Sequence, residues 1–216
     1  MVHLRATQIE APPPRSIRRS VDPTADIVTL TAVKEWLRIG SSVSEHDNVL
    51  LALIRSATRK AEDFTQRAFI QQTWVITFDA LLFDFFSIPD IPRLIELPRP
   101  RLISLDEVRF FKEDGTETTF TLTDLIVDSN SEPARIILKR GVTWPTGLRD
   151  IDAVKITYKA GYGATATSVP ESIKDGVKQI ISTRFENRED VVIGTIVGSI
   201  PLDSKEMLGP YKIWTL

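Results

Sequence analysis

The feature that most constrains this chain is a change of period. Leu50, Leu53, Ile54, Ala57, Ala61 and Phe64 recur at i, i+3, i+4, i+7, i+11 and i+14, the spacing of one face of an α-helix. From Trp74 the pattern alternates instead: Trp74, Ile76 and Phe78 point one way, Val75 and Thr77 the other, as in a half-buried strand. A strand that follows a helix this directly points to a core shared by helices and a sheet.

The remaining elements extend that reading. The long helix is expected to start at Ser44, which can cap it, with Asp47 in its first turn. Its other face carries Arg55, Arg59, Lys60, Glu62 and Asp63, read as a solvated face or one turned to a sister subunit, with Arg59 and Asp63 spaced to pair. A shorter helix is expected over Thr31 to Ile39, with Leu30, Val33, Trp36 and Leu37 on one side and Gly40 as its stop. A closing helix is expected from Pro170 to Asn187, striped by Ile173, Val177, Ile180, Ile181 and Phe185 and weakened slightly by Gly176.

Strand patterns cover Leu102 to Phe111, Phe120 to Val127, Arg135 to Lys139 and Ala153 to Lys159, with Asp114-Gly115 as a tight hairpin turn. Val191 to Ile200, β-branched but broken by Gly194 and Gly198, reads as an extended segment or hairpin. No repeat is present. The fold class is α+β: a small helical bundle with an inserted antiparallel β-sheet and extended N- and C-terminal arms. Three regions follow: an arm at residues 1–28, an α+β domain at 29–206 and a tail at 207–216.

The arm is stiffened by Ala11-Pro12-Pro13-Pro14 and made basic by Arg5, Arg15, Arg18 and Arg19 against Glu10. Over the whole chain, however, 27 basic and 29 acidic side chains leave a net charge of -2, which excludes a protein whose main task is neutralising phosphates. Cysteine is absent, so disulfide frameworks, thiolate zinc sites and cysteine nucleophiles are excluded and a reducing compartment is expected. Met1 to Glu10 carries no hydrophobic signal core, and no apolar run approaches the roughly 20 residues of a membrane helix. No membrane partner is expected.

Gly161-Tyr162-Gly163-Ala164-Thr165-Ala166 fits G-x-G-x-x-A between a strand and a helix, so a nucleotide-binding enzyme is the alternative reading. Ser168, Val169 and Pro170 intervene before the helix, and the fingerprint belongs to an early strand of a repeating β-α-β chain. A strand-to-helix turn fits better. Adjacent carboxylates such as Asp106 and Glu107 point to opposite faces of a strand, and His46 sits among polar residues at a helix start. The chain contains no H-E-x-x-H, G-x-S-x-G or phosphate-loop pattern. No catalytic residue, metal site or cofactor is expected.

Two features suggest interaction surfaces. Leu81 to Ile88 packs Phe83, Phe85 and Phe86 into a short run after a strand, which fits either core filling or a patch covered by a neighbouring subunit. The tail sets Met207, Leu208, Pro210, Tyr211, Ile213 and Trp214 beyond the last expected element, where aromatic side chains need a receiver, in the same domain or in a partner.

Taken in order, Leu30-Thr31-Ala32-Val33-Lys34-Glu35-Trp36-Leu37-Arg38-Ile39, a helix ending Ala61-Glu62-Asp63-Phe64-Thr65-Gln66-Arg67-Ala68, and then Gln72-Thr73-Trp74 resemble the opening of the head-tail connector, or adaptor, proteins of tailed phages and gene transfer particles. Leu97-Pro98-Arg99-Pro100, Lys159-Ala160-Gly161-Tyr162-Gly163 and the segment from Val169-Pro170-Glu171 to Glu186-Asn187-Arg188-Glu189 continue the likeness. It spans about residues 29 to 211 and leaves out the basic arm.

The resemblance implies a non-enzymatic ring, expected to be a dodecamer, in the virion neck after assembly in the bacterial host cytoplasm. It implies a portal protein on one side and tail-side neck proteins, stopper or tail terminator, on the other. Duplex DNA would pass through the channel without sequence-specific binding, which near-zero net charge suits. By the same resemblance the tail residues, Met207 to Trp214, are expected to engage the portal. Arg15, Arg18, Arg19, Phe83, Phe85 and Phe86 are expected at subunit contacts, where a head-to-tail ring needs two different faces.

Overall fold

The computed structural model describes residues 14–80, 94–187 and 202–213, and these divide into two compact units. One takes the described residues up to Asp22 together with those of Gln72–Ala160; the other takes Pro23–Gln71 and the described residues from Gly161 onward. Each is α or β in character, and together they give the α+β class.

The first unit is built from strands: β1 (Ser16–Val21), β2 (Gln72–Phe78), β3 (Leu94–Leu97), β4 (Leu102–Phe111), β5 (Glu117–Thr119), β6 (Leu125–Asp128), β7 (Ala134–Leu138) and β8 (Val154–Ala160). They form a five-stranded sheet in the order β1-β2-β8-β4-β5 and a three-stranded sheet in the order β3-β7-β6, with every pairing antiparallel. In β2, Gln72, Trp74, Ile76 and Phe78 are buried, and in β8 Val154, Ile156, Tyr158 and Ala160 are buried, so the period of two maps directly onto burial. Phe110, Phe120 and Trp144 close the far end as an aromatic cluster with ring centroids 5.0 to 5.7 Å apart. The Asp114-Gly115 hairpin is present: the Lys112 amide donates to the Thr116 carbonyl, and Gly115 takes a φ of 83° that other residues disfavour.

Two expectations change here. The sheet is not a single insert, because β3, β7 and β6 form their own sheet, and the strand expected over Phe120 to Val127 starts only at Leu125, with a 3-10 turn at Leu122–Asp124 before it and the unexpected β5 further upstream. The segment expected to be an unpatterned arm contains β1, whose backbone pairs with β2 from Ser16↔Thr77 to Arg19↔Trp74. Ile27 and Val28, at the arm's expected end, are core residues of the second unit.

The second unit is helical: α1 (Leu30–Trp36), α2 (Asp47–Thr65), α3 (Glu171–Glu186) and α4 (Leu202–Leu208), followed by a 3-10 turn at Gly209–Tyr211. Thr29 caps α1 by accepting from the Ala32 amide at 3.1 Å, and Arg38, at a φ of 58°, ends it two residues before the expected glycine. α2 starts at Asp47, not Ser44, with no side-chain cap; Asp47 instead pairs with the buried Lys34. The stripe holds: Leu50, Ile54, Ala57 and Ala61 are buried with Ile173, Val177, Ile180 and Ile181 of α3, and Leu53, Phe64 and Phe185 pack at the margin. The charged face of α2 is not uniform, since Glu62 is buried and its carboxylate accepts from the Phe69 amide at 2.9 Å.

Candidate interaction surface

The C-terminal segment is folded onto the helical unit through Tyr211. Gly176, at the middle of α3, leaves the space that Leu208 fills: a Cβ there would stand 3.0 Å from Leu208 Cγ. This explains a glycine that helix propensity alone counts as a defect. Leu208 is fully buried, so its side chain belongs to the core and presents nothing to a partner.

Beyond it, the buried Arg67 donates from Nε to the Tyr211 carbonyl, and the Ile213 amide donates to the Thr65 carbonyl at 3.0 Å. The Lys212 ammonium lies over the Phe64 ring at 5.3 Å. Gln66 makes these contacts reachable: its φ of 56° stops α2 in a left-handed cap and turns Arg67 inward. The segment thus leaves the end of α2 in a fixed direction at Ile213. Met207, Tyr211 and Ile213 are half-buried and Pro210 is exposed; Trp214 lies outside the described residues. Thr65 and Arg67, which anchor the C-terminal segment, and the buried Glu62, which holds the Phe69 amide, carry no periodic signal that singles them out in the sequence.

The basic residues at the start of the described chain are spread along β1 and its approach. Arg15 pairs with Asp79 at 3.0 Å and Arg19 with Asp22 at 2.7 Å, while Arg18 is exposed. The structure places these in the sheet unit and the tail residues in the helical unit. Phe83, Phe85 and Phe86, like the Val191 to Ile200 run, lie outside the described residues.

The glycine turn is structural. Gly161 has a φ of 142°, and a Cβ on it would lie 2.7 Å from the Gln71 backbone nitrogen; one on Gly163 would lie 2.4 Å from Ser168 Oγ. The Tyr162 amide donates to the Phe69 carbonyl and the Gln71 amide to the Gly163 carbonyl, so the turn is stitched to the segment after α2. α3 begins only at Glu171, so the glycines do not open a helix that would receive a pyrophosphate. His46 meets the Phe185 ring edge-on at 5.5 Å, and among the described residues no group of three His, Asp or Glu is placed to hold a metal ion. No helix of the described chain is long and apolar enough to cross a membrane.

A helical unit that holds the C-terminal segment and an antiparallel sheet unit make up an α+β fold. Residues 27–90 match the family model of the phage gp6-like head-tail connector protein. Over that segment the chain is similar to this head-tail connector family. The whole fold is similar to chains in three solved assemblies. In the neck of an empty gene transfer agent particle computed with C6 symmetry, the TM-score is 0.73 at 17% identity, covering 93% of this chain and 97% of the other. In the virion of a native gene transfer agent particle the values are 0.71 and 16%, covering 93% and 96%. In the neck of a native particle computed with C12 symmetry they are 0.64 and 17%, covering 91% and 96%. A search of curated protein sequences gives no match.

Proposed function

We propose that this protein is a structural connector in the neck of a phage-like particle, a ring component and not a catalyst. The observation that carries the reading is the combination of a head-tail connector match over residues 27–90 with a fold shared, along more than nine-tenths of the chain, with gene transfer agent neck structures. The symmetric necks of those particles support a ring of copies, and the twelvefold case supports a dodecamer. On this reading the ring sits between a portal protein and a stopper or tail terminator, assembles in the bacterial cytoplasm, and lets duplex DNA slide because its net charge of -2 offers no strong grip.

The docked segment sharpens the portal assignment. Arg67 and Thr65 hold the backbone as far as Ile213, so the portal contact is assigned to the residues after it, Trp214 among them. Removing residues 214–216 leaves the Leu208 and Tyr211 contacts intact. The truncated chain is expected to fold normally and to lose portal binding in a pull-down; undiminished binding moves the portal contact elsewhere while leaving the connector role standing. Particles lacking the protein altogether are expected to accumulate as filled or leaking heads without tails.

A further inference from the structure

Among the described residues, the five-stranded sheet ends in two edges that no further strand covers, and they differ in character. At one side is β1, preceded by Arg15 and containing Arg18 and Arg19, with Ile17 46% and Val21 54% exposed. At the other is β5, Glu117-Thr118-Thr119, every residue of it exposed, joined to β4 through the acidic Glu113 and Asp114. Among the described residues Arg18 makes no ion pair with an acid, and Glu113 makes none with a base.

Open strand edges invite pairing with another chain, and charged side chains restrict which chain. A basic β1 disfavours a second β1, and an acidic β5 end disfavours a second β5, because like charges facing one another are destabilising. The mixed contact is the one left favourable.

We propose that β1 of one copy pairs with β5 of the next, continuing the five-stranded sheet from subunit to subunit. This rests on the ring reading above and names the surface through which the ring closes. The contact is head-to-tail, using two different edges of one sheet, and therefore generates a ring or filament instead of a closed pair. Four antiparallel steps separate β1 from β5, so the two strands run in the same direction. Copies related by rotation about an axis along the strands then meet in a parallel junction. β5 supplies only three residues, so the backbone bonds are few and the opposite character of the basic β1 edge and the acidic β4–β5 turn selects the partner edge.

The chain has no cysteine, which allows a clean test. Chains carrying both Ile17→Cys and Thr118→Cys are assembled into particles and treated with a short bis-maleimide. The expected result is a ladder of dimers, trimers and higher species on a denaturing gel, with no ladder from either single-cysteine chain. Absence of the ladder, with both thiols reactive toward a monofunctional maleimide, overturns the proposal; so does a dimer from Ile17→Cys alone, which means β1 pairs with β1. Copy number in the untreated neck separates the two readings: a ring of copies without a ladder removes this junction only, and single copies remove the ring as well.

Discussion

The helical unit and the sheet unit solve the burial problem in opposite ways. In the helical unit, apolar stripes from distant stretches of chain close on one another and the segment from Leu202 to Ile213 seals them, leaving the chain end anchored by Arg67 and Thr65. In the sheet unit, alternating side chains bury one row each, while the backbone at β1 and β5 is left open. Under the connector reading, the helical unit supplies a rigid hold on the C-terminal segment as far as Ile213 and the sheet unit supplies edges able to meet a neighbour. The contrast predicts that substitutions in the helical unit act on folding and on the chain end, and those on the sheet edges act on assembly.

The largest effect is expected at Gly161. Gly161→Ala imposes a Cβ 2.7 Å from backbone at a φ of 142°, a cost of roughly 3 kcal/mol or more, and is expected to leave little soluble protein on expression. Next, Leu208→Ala empties the space above Gly176 and is expected to cost about 2–5 kcal/mol in denaturant unfolding. Hydrogen exchange is expected to rise in α4 and around Thr65 while β2 and β8 keep their protection; a uniform rise would mean that the chain end is not a local seal.

Arg67→Ala removes the charged donor to the Tyr211 carbonyl, expected to cost about 2 kcal/mol and to increase exchange of the Ile213 amide. In the sheet unit, Tyr158 is buried and its hydroxyl donates to the Pro98 carbonyl at 2.6 Å; burial pushes its ionisation well above the usual tyrosine range. Tyr158→Phe is expected to cost about 1 kcal/mol, and in the unsubstituted protein Tyr158 is expected to give no tyrosinate absorbance before alkaline unfolding.

The smallest effect concerns Asp128, whose carboxylate is held by Arg135, then by Ser131, and whose pKa falls to about 2. A depressed carboxylate adds stability above its unfolded value of about 3.9 and loses it as pH drops toward 2. Asp128→Asn is therefore expected to flatten the acid limb of stability between those values and to change nothing at pH 7 beyond the exposed contact itself. A carboxyl-carbon titration with its midpoint near 4 would contradict the Arg135 contact.

How much of this was legible in the sequence follows the same division. The α2 and α3 stripes, the alternation in β2 and the span of β4 are set by side-chain period and appear where the pattern puts them. β1 escaped because an edge strand with exposed Ile17 and Val21 has no buried row to create alternation. α4 escaped because seven residues give barely two turns, and what holds it is Leu208 entering a gap at Gly176, more than thirty positions away. The burial of Glu62 and Arg67 was hidden for a related reason: charged residues are read as solvated unless something shows the backbone groups waiting for them. The connector likeness is legible because several loose motifs, none specific alone, occur in a fixed order along the chain.

The central claim is that copies of this chain form a neck ring whose sheet edges meet. A reconstruction of the assembled particle tests it most directly. Twelve copies of this fold are expected in a ring at the head-tail junction, with β1 of each beside β5 of the next and residues 214–216 in contact with the portal. Absence of the fold from the neck, or its presence there as isolated copies, would contradict it.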